Sequence, residues 1–478
     1  MHSHVVVLGG GPGGYAAAFL AADLGMETTL VEADTRLGGT CLLRGCIPSK
    51  ALLHVSRVIE EAHEMAGWGV EFGKPTVKID AVRARKEKVI STLTGGLKQL
   101  AKQRKVRVIN AKGVFENSTT LRLEGGEIAT GADNTLTFDY CILATGSVPA
   151  KIPAFDIGTD RVMDSTGALE LKDVPETLLV VGGGYIGLEM GSVYAGLGSK
   201  VSVVELLPGL LMGADRDLAK PLVSRLEKQF SGIYLNTKVA GMVNKDTHVD
   251  VTFEAADGAK RTESFSRVLV SIGRKPVSQG IGLEKTKVEI DPKGFVKCDK
   301  QQRTADPHIF AIGDVAGEPM LAHKASHEGR TAAEVIHGDE AAQFDAVCIP
   351  AVVFTDPEVA WAGLTEDQAA KEGRVVEIAR YPWAASGKAQ ALGRTEGMTK
   401  VIVDPETERV LGVGIVGTNA GDLISEAVLA IEMGATVDDI ARSIHPHPTL
   451  SETVAFAAET FHGTATEIYK PRRDRHGS

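Results

Sequence analysis

The hydrophobic pattern near the amino terminus predicts a strand, a turn, a helix and a second strand in close succession. An apolar, β-branched run at His4–Leu8 leads into a glycine-rich turn, and the alanine-rich stretch Tyr15–Leu24 that follows has helical character. A second apolar run, Thr28–Val31, ends at the acidic residue Glu32. This order of elements is typical of a unit that binds a dinucleotide.

The same pattern returns in the middle of the chain. The apolar run Leu178–Val181 is followed by a second glycine-rich turn and by a helix that extends to about Leu197. A strand at Val201–Val204 then ends at Glu205. One glycine-rich turn alone is weak evidence, but two copies with complete flanking elements predict two dinucleotide sites.

Each glycine of the turn has its own structural task. Gly9 permits the tight turn, Gly11 lets the backbone approach a pyrophosphate, and Gly14 lets the helix and strand pack closely. The helix N-terminus attracts the anion, and Glu32 is expected to accept hydrogen bonds from ribose hydroxyls. The equivalent residues of the second copy are Gly182, Gly184, Gly187 and Glu205, with the same spacing between the first glycine and the acid.

Further apolar runs predict the rest of the fold. Strands are expected at Tyr140–Leu143, Val268–Ile272, Ile309–Ile312 and Val352–Phe354, and a hairpin at Lys400–Val403 and Val410–Val416. Helical patterns follow at 420–434 and 436–442. The sequence therefore predicts an α/β protein that ends in a smaller part of mixed helices and strands.

Composition narrows the functional classes. A chain of 478 residues is expected to form two to four domains, and its net charge of −10 argues against a general nucleic-acid binder. No apolar run reaches membrane-spanning length, and the first strand begins by Val5, which leaves no room for a signal sequence. Five cysteines do not make a secreted disulfide scaffold, so we expect a cytoplasmic protein.

Two of the cysteines are close enough in sequence to suggest redox chemistry. In a regular helix the Cα atoms of Cys41 and Cys46 would be about 8.5 Å apart, whereas a disulfide bridges at most about 7 Å. A bond between them therefore requires a distorted helix, which Gly45 or Pro48 could permit. Lys50 lies one turn after Cys46, where its cation could stabilise a thiolate or a reduced flavin.

The position of this cysteine pair suggests which dinucleotide each site binds. The first site lies nearest the pair, so we assign it to the flavin, and the second then takes the nicotinamide cofactor. Glu205 would repel a 2′-phosphate, and Leu206 and Leu207 follow it without an arginine to receive one. NAD is therefore favoured over NADP.

The run Gly38-Gly39-Thr40-Cys41 to Cys46-Ile47-Pro48-Ser49-Lys50 resembles the redox motif of the pyridine nucleotide–disulfide oxidoreductases. The resemblance implies that Cys41 exchanges with the substrate, that Cys46 contacts the flavin, and that Lys50 lies near the flavin and pairs with Glu189. Leu43 and Arg44 stand where an asparagine and a small apolar residue are common. We expect that departure to alter the potential or surface of the site and to leave its chemistry intact.

The resemblance also assigns the other cofactor residues. Those implied for FAD are Gly9, Gly11, Gly14, Glu32, Gly39, Thr40, Lys50, Gly113, Thr145, Gly146, Asp314 and Ala322. Those implied for NAD are Gly182, Gly184, Tyr185, Ile186, Gly187, Glu205, Val239, Gly273 and Arg274.

The family's domain plan implies two Rossmann-like domains and an α+β dimerisation domain. The FAD-binding domain would comprise residues 1–146 and 274–345, and the NAD-binding domain residues 147–273. Residues 346–465 would form the domain through which a homodimer pairs, and 466–478 a flexible tail.

The segment His445-Pro446-His447-Pro448-Thr449-Leu450-Ser451-Glu452 suggests a general base, because a dithiol must lose a proton before its sulfur attacks a disulfide. By resemblance His447 is that base and Glu452 its partner, presented to Cys41 of the other subunit, while His445 is structural. Thr449 and Glu452 also match a capping box, and both roles of the carboxylate can coexist. No cysteine or further histidine lies nearby, so no metal is expected.

The resemblance is strongest to members that oxidise dihydrolipoamide on a lipoyl domain to lipoamide, through FAD, with NAD⁺ as the acceptor. It implies a component of a 2-oxo acid dehydrogenase or glycine cleavage complex, docked on the acyltransferase core. Glutathione-type reductases usually carry arginines for NADP, whereas mercuric reductases and large thioredoxin reductases have a C-terminal redox pair. Small thioredoxin reductases place a Cys-x-x-Cys in the NAD domain. A function of a different class also remains open, in which the chain acts chiefly as a docking subunit of a 2-oxo acid dehydrogenase complex.

Overall fold

The computed structural model describes residues 1–126 and 134–469. Its elements up to Pro149 begin with strands and helices in alternation and end in a run of strands. The strands are β1 (His2–Leu8), β2 (Thr28–Glu32), β3 (Arg107–Asn110), β4 (Lys112–Asn117), β5 (Thr120–Glu124), β6 (Thr135–Leu143) and β7 (Ser147–Pro149). The helices are α1 (Pro12–Asp23), α2 (Gly39–Arg44), α3 (Cys46–Glu64) and α4 (Ile79–Gln103).

The middle of the chain repeats this alternation and adds a group of antiparallel strands. Its strands are β8 (Val162–Met163), β9 (Thr177–Val181), β10 (Lys200–Val204), β11 (Gly232–Tyr234), β12 (Thr237–Asn244), β13 (Val249–Ala255), β14 (Lys260–Phe265), β15 (Arg267–Val270) and β16 (Arg274–Pro276). Its helices are α5 (Ser165–Glu170), α6 (Tyr185–Gly196) and α7 (Arg216–Gln229).

The last third of the described chain begins with one strand and one helix, followed by a sheet with helices packed on it. The strands are β17 (Ile309–Ala311), β18 (Ala351–Val353), β19 (Glu358–Gly363), β20 (Glu377–Pro382), β21 (Met398–Val403) and β22 (Val410–Gly417). The helices are α8 (Ala322–His337), α9 (Glu366–Glu372), α10 (Gly387–Leu392), α11 (Ala420–Glu432), α12 (Val437–Ala441) and α13 (Glu452–His462).

The first sheet has the order β3-β2-β1-β6-β5-β4, and β17 pairs with β6 in parallel. The chain therefore leaves this sheet after β6 and returns to it with β17. Strand β1 is buried on both faces, as a central parallel strand must be when both faces are covered. Val5 and Val7 pack into one apolar cluster with alanines of α1 and α8, and Val6 and Leu8 into another on the opposite face.

The second sheet repeats the central arrangement of the first. Its order is β11-β10-β9-β15-β8, with parallel pairing, and β12, β13 and β14 form a separate antiparallel sheet. The strands β7 and β16 pair antiparallel, so the chain enters and leaves this unit through one two-stranded ribbon. Ligands of such sheets bind beyond the carboxyl ends of the central strands.

The third sheet is antiparallel, with the order β18-β19-β22-β21-β20. The predicted hairpin is present as β21 and β22, and helices α11, α12 and α13 contribute to the core beside it. The predicted α/β fold class with a mixed C-terminal part is confirmed.

A buried ion cluster joins the second and third units. The Lys400 ammonium lies 2.6 Å from Asp215, 2.7 Å from Asp217 and 2.7 Å from Glu366, and its side chain is only 1% exposed. The three carboxylates are close enough together to hold a metal ion, but the Lys400 ammonium contacts all three of them, and Arg380 also pairs with Asp217 and Glu366. This cluster fixes α7, from the second unit, against β21 and α9 of the third.

The structure also bears on the predicted tail and on membrane insertion. Residues 470–478 of the predicted tail lie outside the described residues, whereas Ile468 packs against the core of the third unit. None of the described helices combines the length and apolar character needed to cross a bilayer.

Candidate active site

The glycine turn between β1 and α1 has the close packing that its sequence predicts. Gly9 has a φ of +114°, and a Cβ there would overlap the Ala144 carbonyl oxygen. A Cβ on Gly14 would overlap the Gly9 carbonyl oxygen, so the start of the helix can approach the strand only because both residues are glycines. A Cβ on Gly11 would come no nearer than 3.8 Å to its neighbour, Gly39 Cα, so the Gly11 backbone remains approachable.

Glu32, the last residue of β2, and Glu205, which directly follows β10, have equivalent hydrogen bonds. Glu32 accepts from the backbone N–H of Gly10 at 2.6 Å and of Asp34 at 2.8 Å. Burial raises the pKa of Glu32, and the Gly10 N–H, the charge of Arg44 and the Ala33 N–H oppose that rise. Each carboxylate oxygen still has a lone pair for a ribose hydroxyl. In the second copy Glu205 accepts from the N–H groups of Gly183 at 2.6 Å and Leu207 at 2.8 Å.

All residues assigned to the flavin line one cavity of about 580 Å³. They are Gly9, Gly11, Gly14, Glu32, Gly39, Thr40, Lys50, Gly113, Thr145, Gly146, Asp314 and Ala322. The wall also includes Cys41, Cys46 and Glu189, together with Tyr185, Ile186 and Arg274, which were assigned to NAD. A glycine turn open to a diphosphate, a carboxylate for a ribose and a thiol pair in one cavity fit a flavin dinucleotide.

The helix that carries the cysteines is broken at Gly45. Helix α2 ends at Arg44 and α3 begins at Cys46, with Gly45 at φ −146° and ψ −111° between them. A Cβ on Gly45 would lie 2.9 Å from the Thr40 carbonyl oxygen, so a larger residue would force the chain apart. Pro48 lies in the first turn of α3, where a missing N–H costs little. The distortion therefore lies at Gly45.

The break places the two thiols within hydrogen-bond distance and gives them unequal acidity. Both are free thiols, and the hydrogen bond from Cys41, helped by the positive charge of Lys50, lowers the pKa of Cys46 to about 7. Glu189 and burial oppose this change. The same hydrogen bond and burial raise the pKa of Cys41. In the dithiol form the proton thus stays on Cys41 and the thiolate forms on Cys46.

Lys50 is fixed beside the cysteines by an ion pair. Its Nζ donates to both carboxylate oxygens of Glu189, at 3.0 and 2.8 Å, and the Glu189 side chain is 4% exposed. Glu189 also accepts from the backbone N–H of Phe354 at 3.0 Å, and the Lys50 ammonium lies 4.3 Å from the centre of the Phe354 ring. The sequence predicted the ion pair but not the contribution of Phe354.

Asp314 is connected to Arg274 through Ser147. Ser147 Oγ donates to Asp314, and Arg274 donates to Ser147 Oγ and to its carbonyl oxygen, both at 2.7 Å. Arg274 was assigned to NAD, yet its guanidinium binds the segment beside Asp314 in the flavin cavity. Ser147 was not predicted, although it directly follows Thr145 and Gly146 of the crossover motif.

The remaining residues assigned to NAD lie around the second glycine turn and the strands beside it. A Cβ on Gly182 would lie 2.5 Å from the Ser271 carbonyl oxygen, and one on Gly187 would overlap the Gly182 carbonyl oxygen, whereas Gly184 has open space around it. Gly273 has a φ of +113° in the crossover after β15. Val239 lies in β12, partly buried against an apolar cluster of the second unit.

His447 and Glu452 form a pair on the surface of the third unit. His447 Nδ1 lies 2.8 Å from Glu452 Oε1, while Glu452 Oε2 accepts from the backbone N–H of Thr449 at 2.7 Å. The Glu452 carboxylate therefore contacts both predicted partners, the His447 ring and the Thr449 backbone. The capping-box prediction was wrong in one respect, because α13 begins at Glu452 and its N-cap is Ser451. The His447 side chain is 78% exposed.

His445 has a different environment from His447. Its ring nitrogens lie 2.8 Å from the Ser443 carbonyl oxygen and 2.7 Å from Glu426, and its side chain is 9% exposed. Both nitrogens therefore have protein partners, as a structural histidine would.

Comparisons with known proteins agree with this geometry. The family model described as pyridine nucleotide-disulphide oxidoreductase matches residues 3–329, and that of the family's dimerisation domain matches residues 349–458. The chain belongs to the pyridine nucleotide-disulphide oxidoreductase family. It is therefore an oxidoreductase with a dimerisation domain, and its cofactors are FAD and NAD.

Relatives within the family match over nearly the whole chain. A dihydrolipoyl dehydrogenase of Vibrio parahaemolyticus is 52% identical over 98% of this chain and 97% of its own length, and one of Geobacillus stearothermophilus is 43% identical over 98% of each. The LpdA structure from Mycobacterium tuberculosis superimposes with a TM-score of 0.87 at 27% identity, over 96% of this chain and 99% of its own.

The lowered pKa of Cys46 predicts its reactivity in the reduced protein. Alkylation of Cys46 by iodoacetamide, followed by mass spectrometry from pH 5 to 9, should show a midpoint near 7. Cys41→Ala removes the hydrogen-bond donor and Lys50→Met removes the cation, so each should move the midpoint to higher pH. Lys102→Met, at an exposed site on α4, is the control. A wild-type midpoint above about 8.5, the value of a free thiol, would contradict the assignment.

Proposed function

We propose that this enzyme oxidises dihydrolipoamide, carried on a lipoyl domain, to lipoamide, and passes the electrons through the Cys41–Cys46 pair and FAD to NAD⁺. The observation that carries the proposal is the position of an acidic thiol and a protonated thiol, side by side, on the wall of the flavin cavity. Relatives of up to 52% identity that bear the name dihydrolipoyl dehydrogenase support lipoamide as the disulfide substrate.

The chain would divide this work among three units. We assign residues 1–146 and 274–345 to FAD, residues 147–273 to NAD, and residues 346–465 to pairing of two subunits. The return of the chain to the first sheet with β17, and the ribbon of β7 and β16, support these divisions.

The thiol chemistry follows from the unequal acidity of the two cysteines. A substrate thiolate attacks Cys41 Sγ of the oxidised pair, and Cys46 leaves as the thiolate because its pKa is the lower. The second substrate sulfur then attacks the sulfur bound to Cys41, which releases lipoamide and returns a thiol to Cys41. Lys50 holds the charge of the Cys46 thiolate. FAD, held in the cavity by the glycine turn after β1, Glu32 and Asp314, would supply the redox chemistry that carries the electron pair from this dithiol to NAD⁺.

The proton of the substrate thiol requires a base, and we assign that role to His447. Glu452 orients the imidazole at 2.8 Å and stabilises its protonated form. His447 is largely exposed and does not line the cavity that contains the cysteines of its own chain. We therefore propose that His447 of the partner subunit serves Cys41, so that the dimer completes each site.

The proposed substrate implies partners and a location. A dihydrolipoyl group is carried on a swinging domain, so we propose that the enzyme serves a 2-oxo acid dehydrogenase or glycine cleavage complex and docks on its acyltransferase core. We also propose a cytoplasmic location, because five cysteines in 478 residues do not make a secreted disulfide scaffold.

The substrate can be tested by giving the purified protein three alternative substrates: dihydrolipoamide, glutathione disulfide and Hg²⁺. We expect turnover with dihydrolipoamide and NAD⁺, and a long-wavelength charge-transfer band on two-electron reduction. Glutathione disulfide or Hg²⁺ with NADH or NADPH should give at most background rates, and faster turnover with either would overturn the proposal. Cys46→Ser should abolish lipoamide turnover while association with the complex persists. A Cys46→Ser variant that kept lipoamide turnover but lost docking would contradict both the catalytic role of Cys46 and the independence of docking from catalysis.

The base is tested by comparing two histidines that lie two positions apart. His447→Gln should lower kcat with dihydrolipoamide at least about 100-fold, because it removes general-base catalysis. Reduction of the bound flavin by NADH, which involves no substrate thiol, should be unchanged. His445→Gln is the matched control and should retain most of the activity. Equal losses in the two variants would refute the assignment of His447.

The preference for NAD depends on Glu205. Glu205→Arg should lower the ratio of kcat/KM for NAD⁺ to that for NADP⁺ at least about tenfold, because it replaces a carboxylate that repels a 2′-phosphate with a cation that binds it. Glu205→Gln, the control, should weaken NAD⁺ binding without improving NADP⁺. An unchanged ratio in the arginine variant would remove Glu205 from cofactor selection.

A further inference from the structure

Arg44 places a positively charged side chain beside the redox cysteines. It is the last residue of α2, between the two cysteines in sequence, and it lies on the wall of the flavin cavity. Thr40, four residues earlier and therefore on the same face of α2, also lines that wall. The start of α2 packs on the glycine turn, since a Cβ on Gly39 would lie 2.5 Å from Gly11 Cα. The face that carries Arg44 is thus continuous with the glycine turn.

Asp34 holds the Arg44 side chain in this position. Arg44 Nη2 forms an ion pair with a carboxylate oxygen of Asp34, whose side chain is 26% exposed. The Asp34 backbone is fixed in turn, because its N–H donates to Glu32 and its carbonyl accepts from Asn110 at 2.8 Å. A guanidinium has five N–H donors on three nitrogens, so Asp34 orients Arg44 without using all of its donors.

The second dinucleotide site provides an internal comparison. Glu205 has the same two backbone hydrogen bonds as Glu32, but the residue equivalent to Asp34 is Leu207, which is exposed. Asp34 pairs with Arg44 in the first site, whereas Leu207 has no charge with which to hold a cation in the second. The pair is therefore an addition to the flavin site and not a part of the repeated unit.

We propose that Arg44, oriented by Asp34, binds the diphosphate of FAD and retains the flavin in its cavity. The diphosphate is the anionic part of FAD, and a guanidinium binds phosphate oxygens through charge-assisted hydrogen bonds. Arg44 lies on the same helical face as Thr40, beside the glycine turn where a diphosphate is received. Arg44 thus connects the segment between the two cysteines directly to the cofactor.

Release of FAD from the holoenzyme tests this role without reference to turnover. On dilution, the rise of flavin fluorescence gives the dissociation constant and the release rate. Arg44→Leu should raise the dissociation constant about tenfold, which corresponds to about 1.4 kcal/mol. It should also reduce the dependence of that constant on salt, because a phosphate contact is lost. Asp34→Asn, which leaves the backbone bonds intact, should show a smaller increase in the same direction.

Two control variants distinguish a specific loss of FAD binding from a general loss of protein stability. Arg36→Leu changes a partly exposed arginine on the loop that also contains Asp34. Arg36 pairs with Glu87 and does not line the cavity, so FAD release from this variant should match the wild type. Arg44→Lys keeps the charge and should retain FAD better than Arg44→Leu, and the affinity for NAD should be unchanged in all variants. Release from Arg44→Leu within twofold of the wild type, or equal losses in the leucine and lysine variants, would overturn the proposal.

Discussion

The Lys50–Glu189 ion pair is the interaction on which the arrangement of the site depends. Lys50 belongs to α3 in the first unit, and Glu189 belongs to α6 in the second. The backbone N–H of Phe354, which directly follows β18 in the third unit, also donates to the Glu189 carboxylate. A carboxylate as buried as Glu189 is stable in its charged form only when it is paired. The three units must therefore pack together for this charge to be satisfied, and Lys50 is held one turn from Cys46 as a result.

The same pair limits how acidic Cys46 can become. Lys50 lowers the pKa of the Cys46 thiol, while Glu189 raises it, so one cation serves two anions. The larger influence is the hydrogen bond from Cys41, which exists only because Gly45 breaks the helix between the cysteines. The acidity of the thiol is thus set first by backbone geometry and then by charge.

The sequence predicted those parts of the molecule that local patterns encode. The strand, glycine turn and acid of each dinucleotide unit lie where they were expected, and so does the hairpin of β21 and β22. Spacing alone left Gly45 and Pro48 as equal candidates for the helix distortion. The structure decides for Gly45, because proline in the first turn of a helix leaves no hydrogen bond unmade.

The sequence could not reveal partners that act over long separations or through the backbone. Phe354 contributes its N–H to Glu189, 165 positions away, and any residue but proline offers the same donor. Ser147 joins Asp314 and Arg274 only because the crossover strands meet. Neither contact depends on a distinctive residue pattern, so no motif search would identify them.

The environments of the two histidines near the end of the chain lead to a further point about the dimer. His445 has both ring nitrogens occupied within its own chain, whereas His447 has Nδ1 on Glu452 and an exposed ring. The thiols line a cavity between the first and second units, and His447 lies on the surface of the third. Under the proposed mechanism, neither half is a complete site within one chain. Pairing of subunits would then be a requirement of the chemistry itself, beyond any contribution to stability.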